Sequence, residues 1–289
     1  MHILIITNAF ITFDSVKHQV ARLSEAFNKA GARVSVLSSA SLPAHLSDGD
    51  AVVSLPPCDA VVYLDKDKHF SHALERGGVR LFNSARAIEL CDDKMMTYIA
   101  LAGQGIAMPR TVSAPLCYIE SPDDAFLPRV AELVGFPVVV KENYGSMGRQ
   151  VHLAKDMTEL KAIHAKLKHV PHIFQEFIAE SSGRDLRVIV IGGKAVAAMM
   201  RKSDTDFRSN IELGGKAYAI TPDPEYIAAA ERAAALLGLD YCGVDILFGK
   251  DKPILCEVNS NAFFRGTEQV TGVDVAGLYA NYIIEKGKE

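Results

Sequence analysis

Between positions 241 and 261 two short apolar runs, 243–248 and 253–259, are separated by Gly249-Lys250-Asp251-Lys252. Runs of this length, broken by a glycine-containing polar stretch, read as a β-hairpin. Side chains alternate between the faces of a strand, so Val244, Ile246 and Phe248 share one side while Asp245 and Leu247 take the other. By the same count Ile254, Cys256 and Val258 oppose Leu255, Glu257 and Asn259. With the turn at 250–252, Asp245 falls opposite Glu257, at a Cβ separation of about 4.5–5.5 Å. Two carboxylates that close on a largely apolar sheet repel, so either one takes a proton or a cation sits between them. The cation is the simpler solution. Asn259 adds a neutral oxygen on the same face, and an all-oxygen set short of a closed cage suits Mg²⁺, which completes its shell with water and phosphate oxygens. A solvated hairpin with its polar face outward would hold the same residues.

Residues 1–90 alternate apolar runs with helix-like segments; 3–7, 32–38, 60–64 and 79–82 read as buried strands of a parallel α/β lobe. Segment 84–103 reads as one helix, capped by Ser84, with Ile88, Met95 and Ile99 on its apolar face and Gly103 and Gly105 as stops. From Pro137 onward hairpins dominate: strands 137–141 and 151–154 flank a glycine loop, followed by a helix at 157–168 and a strand near 173–178. Strands 186–191 and 195–200 turn at Gly192-Gly193. In the last helix Val275, Leu278, Tyr279, Tyr282 and Ile283 form one buried stripe. The expected organisation is therefore an α/β unit at 1–90, a small central α+β lobe with the glycine loop at 91–180, and a C-terminal lobe with the metal site at 181–289.

The glycine loop follows Val138-Val139-Val140-Lys141 and contains Gly145-Ser146-Met147-Gly148 before the chain resumes at Val151. Glycines let backbone N–H groups approach phosphate oxygens, and a lysine at the end of the preceding strand can add a point charge. No Gly-Lys-Ser/Thr precedes a helix, so this is not a Walker A loop, and the first strand lacks the glycines of a dinucleotide fingerprint. An ordinary hairpin turn would look the same. Arg187 lies on a strand near Asp185, and Arg208 stands in Asp206-Phe207-Arg208-Ser209-Asn210. The guanidinium fork suits phosphate and carboxylate, although surface ion pairs use it equally.

Composition narrows the partners. The net charge is -4, with no dense basic run to mark a nucleic-acid or membrane surface. Five scattered cysteines without CxxC pairs argue against a disulfide framework or a structural zinc. The first residues form a short apolar run with no charged leader, which predicts cytoplasmic residence.

Taken in order, Lys94, Lys141 with GSMG at 145–148, QEFI at 175–178, GRDLRVIVIGGKAVAAMMR at 183–201, DFRSN at 206–210, GVDIL at 243–247 and EVNSN at 257–261 resemble the ATP-grasp superfamily. RimK-type glutamate ligases look most similar, over roughly residues 85–285, and the first lobe resembles the domain that precedes the ATP-grasp unit. The resemblance implies an ATP-grasp fold and an ATP- and Mg²⁺-dependent ligase, with Mn²⁺ an alternative ion, that joins a carboxylate to an amine through an acyl-phosphate. It implies that Lys94 and Lys141 touch ATP phosphates beneath Gly145, Ser146, Met147 and Gly148, and that Gln175, Glu176, Phe177 and Ile178 line the adenine pocket. Glu180 or Asp185 is the implied ribose partner. Asp245, Glu257 and Asn259 match magnesium ligands, while Arg187, Arg208 and Asn210 match positions that hold the γ-phosphate and the acyl-phosphate.

Three departures bear on the substrates. Gln150 stands where the loop has a third glycine, Met200-Arg201 replaces Lys-Arg, and Asn261-Ala262-Phe263-Phe264-Arg265 replaces Ser-Pro-Gly after the acidic motif. The partners expected are small-molecule or peptide substrates, with a homo-oligomer left open. A non-catalytic ATP-binding module and an ATP-grasp kinase are the rival readings.

Overall fold

The computed structural model describes residues 1–10, 13–42, 44–120 and 124–288. The first lobe runs β1 (His2–Thr7), α1 (Asp14–Lys29), β2 (Arg33–Ser38), β3 (Ala44–Ser47), β4 (Asp50–Val53), β5 (Ala60–Leu64), α2 (Lys68–Arg76) and β6 (Leu81–Phe82). Strands β1 and β5 are continuous apolar runs because both their faces are covered, as in a parallel sheet flanked by helices. The sheet has order β2-β1-β5-β6 and is parallel throughout. Two expectations change here. Strand β2 is an edge, not a buried strand, with Val36 exposed. An antiparallel hairpin, β3–β4, is added at Asp48-Gly49, whose positive φ angles are what a two-residue hairpin turn demands.

The helix expected across 84–103 is two. Helix α3 (Ala85–Asp92) is capped by Ser84, whose side chain accepts the Ala87 N–H, and α4 (Lys94–Leu101) restarts at once because Asp93, in extended conformation, accepts the N–H groups of Met95 and Met96. A second N-cap inside an apolar pattern breaks the helix there. The central lobe contains β7 (Thr111–Ser113), α5 (Leu127–Val134), β8 (Val138–Glu142), β9 (Val151–Ala154), α6 (Met157–Leu167) and β10 (His172–Glu176). Its antiparallel sheet has order β7-β10-β8-β9 and packs Val138, Val140 and Phe174 on Val130, Val134 and Leu160 of the two helices.

The C-terminal lobe comprises β11 (Arg184–Ile191), β12 (Lys194–Lys202), β13 (Lys216–Ala219), α7 (Pro224–Leu237), β14 (Tyr241–Phe248), β15 (Pro253–Asn259), α8 (Arg265–Thr271) and α9 (Val275–Lys286). Its antiparallel sheet has order β13-β12-β11-β14-β15. One face, with Leu186, Val188, Val244, Ile246, Leu255 and Val258, shares a core with α7 and with Ala87, Cys91 and Leu101 of α3 and α4. The alternate residues Asp185, Arg187, Asp245 and Leu247 therefore point the other way, towards the central lobe. On α9, Val275, Tyr279 and Ile283 are buried, but Leu278 is exposed and Tyr282 half-buried. The stripe is narrower than expected because Ala276 and Ala280 fill the adjoining core positions.

Candidate active site

Asp245 pairs with Glu257 across β14 and β15, as the hairpin count predicts. The route differs. The turn spans four residues, so Ile246 meets Leu255, and a bulge between Asp245 and Ile246 takes up the extra residue. A bulge interrupts alternation on one strand. As a result Leu255 lies in the core beneath the sheet, while Cys256, expected to alternate inward, lines the cleft together with Glu257.

The carboxylates are also less alone than the sequence implies. Register puts Arg187 beside Asp245 and Arg201 beside Asp185. Arg187 donates from Nε and Nη2 to both Asp245 oxygens at 2.7 Å, and Arg201 Nη2 lies 2.9 Å from Asp245 Oδ2. Arg201 also bonds both oxygens of Asp185. Burial by itself would raise the Asp245 pKa, but the two guanidinium groups outweigh it and hold the carboxyl below the ordinary aspartate value. Glu257 is more open and has Lys94 Nζ at 3.6 Å. Asn259 Nδ2 is 3.4 Å from Asp245 Oδ2.

On the opposite wall, Lys94 and Lys141 are both only 8% exposed. Lys94 opens α4, its N–H on Asn143 O and its Nζ on Gly145 O, so the helix break at Asp93 aims this side chain at the base of the loop. Lys141 Nζ lies 3.6 Å from Cys256 Sγ, and among the described residues no carboxylate comes within the 4.0 Å of an ion pair. Burial opposes the Lys141 charge, but Cys256, Tyr98 and Glu257 nearby outweigh it and hold the pKa above the ordinary lysine value, so the ammonium stays charged in the cleft and can receive an anion. Arg208 is tied to Asp206, and its Nη1 donates to Gly148 O at 2.8 Å and Val151 O at 3.3 Å. Gly148 has φ +71° and a side chain there would collide with Asn210 Oδ1. The loop thus closes by direct backbone approach to 208–210.

The cleft between the two sheets holds about 840 Å³ of space, including solvent at its mouth, within the usual range for small-molecule sites. Lys94, Lys141, Gly145, Ser146, Gly148, Gln175, Glu176, Phe177, Ile178, Asp185, Arg208, Asn210, Asp245 and Glu257 all line it. Gln175 is fixed by Thr111 Oγ1 at 2.9 Å, and Glu176 by Arg110, whose hydrogen bond lowers its pKa. One expected residue is placed otherwise: Glu180 is exposed on a turn outside the cleft, whereas Asp185 lines the cleft, held by Arg201 on both oxygens with acceptor sites left for a hydroxyl. Arg187, Met147 and Asn259 line an adjoining cavity, together with Asp65, Asn261 and Phe263.

Sequence reasoning passed over Arg201, which is 3% exposed and joins two acidic residues. Counting back from the Gly192-Gly193 turn sets Arg201 opposite Arg184; a bulge between Ile189 and Val190 shifts the register by one and brings Asp185 there instead, so the pairing could not be read from the hairpin alone. Asp65 gave no signal, because only the order of strands in the first sheet brings it to the cleft. Among the described residues no group of three or more His, Cys, Asp or Glu is placed to hold a metal ion. The oxygen set remains two carboxylates and one amide, and a carboxylate has about four lone-pair sites, so Asp245 keeps acceptor capacity beyond its arginines. The donors fit Mg²⁺ completed by phosphate oxygens.

Residues 91–283 match the family model described as the RimK-like ATP-grasp domain. The chain is 37% identical over 224 residues to N-acetylaspartylglutamate synthase A of Homo sapiens, covering 76% of this chain and 56% of that protein. It is 39% identical over 210 residues to the probable alpha-L-glutamate ligase of Halorhodospira halophila, covering 71% and 67%. The chain spans little more than half the length of the synthase. A solved structure of the ATP-grasp ligase PsnB with a minimal precursor variant, Mg and ADP superposes with a TM-score of 0.70 at 21% identity, covering 99% of this chain and 98% of that one. At that identity the likeness is one of fold. No helix among the described residues is long and apolar enough to cross a membrane.

Proposed function

The chain belongs to the RimK-like ATP-grasp family, and on that footing we propose that it is an ATP- and Mg²⁺-dependent ligase that joins a carboxylate to an amine through an acyl-phosphate. One observation supports this above the rest: Lys94 and Lys141, two buried cations, face the acidic pair Asp245 and Glu257 across a nucleotide-sized cleft. Cations for phosphate and oxygens for a divalent ion are the parts that phosphoryl transfer needs.

In this reading Gln175, Glu176, Phe177 and Ile178 take the adenine, and Lys94, Lys141, Arg208 and the 145–148 loop take the phosphates. Asp245, Glu257 and Asn259 would hold Mg²⁺, whose charge offsets that of the triphosphate oxygens. An unactivated carboxylate resists amines because oxide is a poor leaving group. Its oxygen therefore attacks the γ-phosphorus as the bond to ADP breaks, giving a mixed anhydride. The amine adds to the carbonyl carbon, and phosphate departs as the C–O bond breaks. Arg187 stands beside Asp245 at the junction of the two cavities, where it can stabilise the tetrahedral oxyanion. Closure of the loop by Arg208 and Asn210 keeps water from the anhydride. The three units at 1–90, 91–180 and 181–289 are proposed to supply the amine side, the nucleotide lid and the metal side.

The names of the relatives direct the substrate search to L-glutamate as amine and to N-acetyl-L-aspartate, other dicarboxylates and peptide termini as carboxylates. The test is phosphate release from Mg-ATP over paired pools of these, with mass spectrometry of the products. Loss of one water between the pair is expected. A product heavier by one phosphate would replace the ligase by a kinase, and ATP binding with no phosphate release in any pool would replace it by a regulatory module.

A further inference from the structure

In a sheet of order β2-β1-β5-β6 the chain leaves β1 in opposite directions, and ligands collect outside the carboxyl ends of the strands at such a reversal. The residues just beyond those ends are Asn8 after β1 and Asp65 after β5. They are joined: Asn8 Nδ2 donates to Asp65 Oδ1 at 3.2 Å and Oδ2 at 3.1 Å, and the Lys66 N–H donates to Oδ1 at 2.7 Å. Asp65 is 7% exposed and lines the cavity of about 880 Å³, open to solvent, that also touches Ser146, Arg187, Glu257 and Asn259.

The charges around that cavity are otherwise spoken for. Lys66 pairs with Asp92 at 3.3 Å, Arg187 and Arg201 with Asp245, and Glu257 with Lys94. Glu212, the remaining acid of the lining, is exposed to water. Asp65 is thus a buried, oriented carboxyl with no cationic side chain within ion-pair distance among the described residues. A buried charge lacking its counterpart calls for one from outside.

We propose that Asp65, oriented by Asn8, receives the ammonium group of the amine substrate and takes the proton that the amine must lose before attack. The inference rests on the ligase reading and deepens it. The substrate R–NH₃⁺ gives one proton to the Asp65 carboxylate and becomes R–NH₂. The nitrogen lone pair then forms the C–N bond while the C–O bond to phosphate breaks, and the second proton leaves on the phosphate. Burial, which favours the neutral acid, raises the Asp65 pKa and suits it to accept.

The experiment compares two nucleophiles on one acyl-phosphate. Hydroxylamine is uncharged at neutral pH and needs neither an anchor nor a base, so it reports formation of the anhydride; L-glutamate reports the full reaction. With the carboxylate found active above, Asp65→Asn should lower the ratio of amide to hydroxamate at least tenfold and raise the KM for glutamate. Asp65→Glu should recover part of the ratio. Asn8→Ala, which keeps the carboxyl but removes its orienting donor, should lower the ratio about threefold, and it supplies the measurement should Asp65→Asn fail to fold. A ratio equal to wild type in the folded variants, even with both products reduced, overturns the assignment and leaves Asp65 a structural residue. No hydroxamate from the wild-type protein with any carboxylate would instead remove the ligase reading itself.

Discussion

Asp245 and Glu257 face each other across adjacent strands, yet they are balanced by different partners: Asp245 by Arg187 and Arg201 within the sheet, Glu257 by Lys94 from across the cleft. The two are therefore not equivalent. Removing the Glu257 charge takes an ion-pair partner from Lys94 and a more distant one from Lys141, both of which line the open cleft. Removing the Asp245 charge takes the carboxylate from Arg187 and leaves Arg201, 3% exposed, with Asp185 as its one remaining carboxylate.

Glu257→Gln should accordingly fold as the wild type does and lose about a hundredfold or more in turnover, on the order of 3 kcal/mol of barrier. Asp245→Asn should lose activity and also stability, by roughly 1.5–3 kcal/mol for the charge-assisted hydrogen bonds to Arg187 and Arg201 that it weakens. Phosphate-release kinetics against Mg²⁺ concentration, beside thermal melts, separate the two effects. Wild-type turnover in Glu257→Gln would end the metal-bridging proposal.

Gly148→Ala tests the loop. Its φ of +71° and the clash with Asn210 both oppose a side chain. Closure on Arg208 should weaken, with the KM for ATP rising about tenfold and a larger share of phosphate release occurring without product. Unaltered coupling of hydrolysis to ligation would show that the loop need not approach 208–210.

Hairpins β8–β9, β11–β12 and β14–β15 were legible because glycine positions and alternation specify them locally, whereas β3–β4 was passed over although Asp48-Gly49 marks its turn. The Asp245–Glu257 pair came from a count that took the β14–β15 turn one residue too short. The bulge there was not legible. It compensates for the longer turn, so the pair comes out the same while Cys256 and Leu255 exchange faces. Asp93 was readable as a cap but lay within an unbroken apolar pattern. Asp65 and Asn8 were beyond reach, since their meeting depends on β1 and β5 becoming neighbours across more than fifty residues.

Arg265 opens α8 beside Arg187 and Lys216 on the lining of a third cavity, and it occupies the segment that departs from the family pattern. Arg265→Ala should raise the KM of an acidic substrate about tenfold with little change in kcat. Because Arg265 is exposed, added salt should raise the wild-type KM as well. A KM unchanged in the variant would place the substrate carboxylate elsewhere.

Asp65 also makes a prediction about stability alone. Its carboxyl is raised in the folded chain, first by burial and with a smaller contribution from Asp67, against the lowering effect of the Lys66 N–H and Asn8. In the interval above the ordinary value of 3.8 the folded state therefore binds more protons at this site than the unfolded state. Stability falls as pH rises through that interval, and the deficit stays in full once the folded carboxyl has ionised. Asp65→Asn removes the deficit while keeping an oxygen for the Lys66 N–H. Its Tm should exceed that of the wild type at pH 7.5, and the gap should close as pH falls below 3.8. Melts of both proteins over that range check the sign: a variant less stable at pH 7.5 would mean that a neighbouring cation already satisfies the carboxylate in solution.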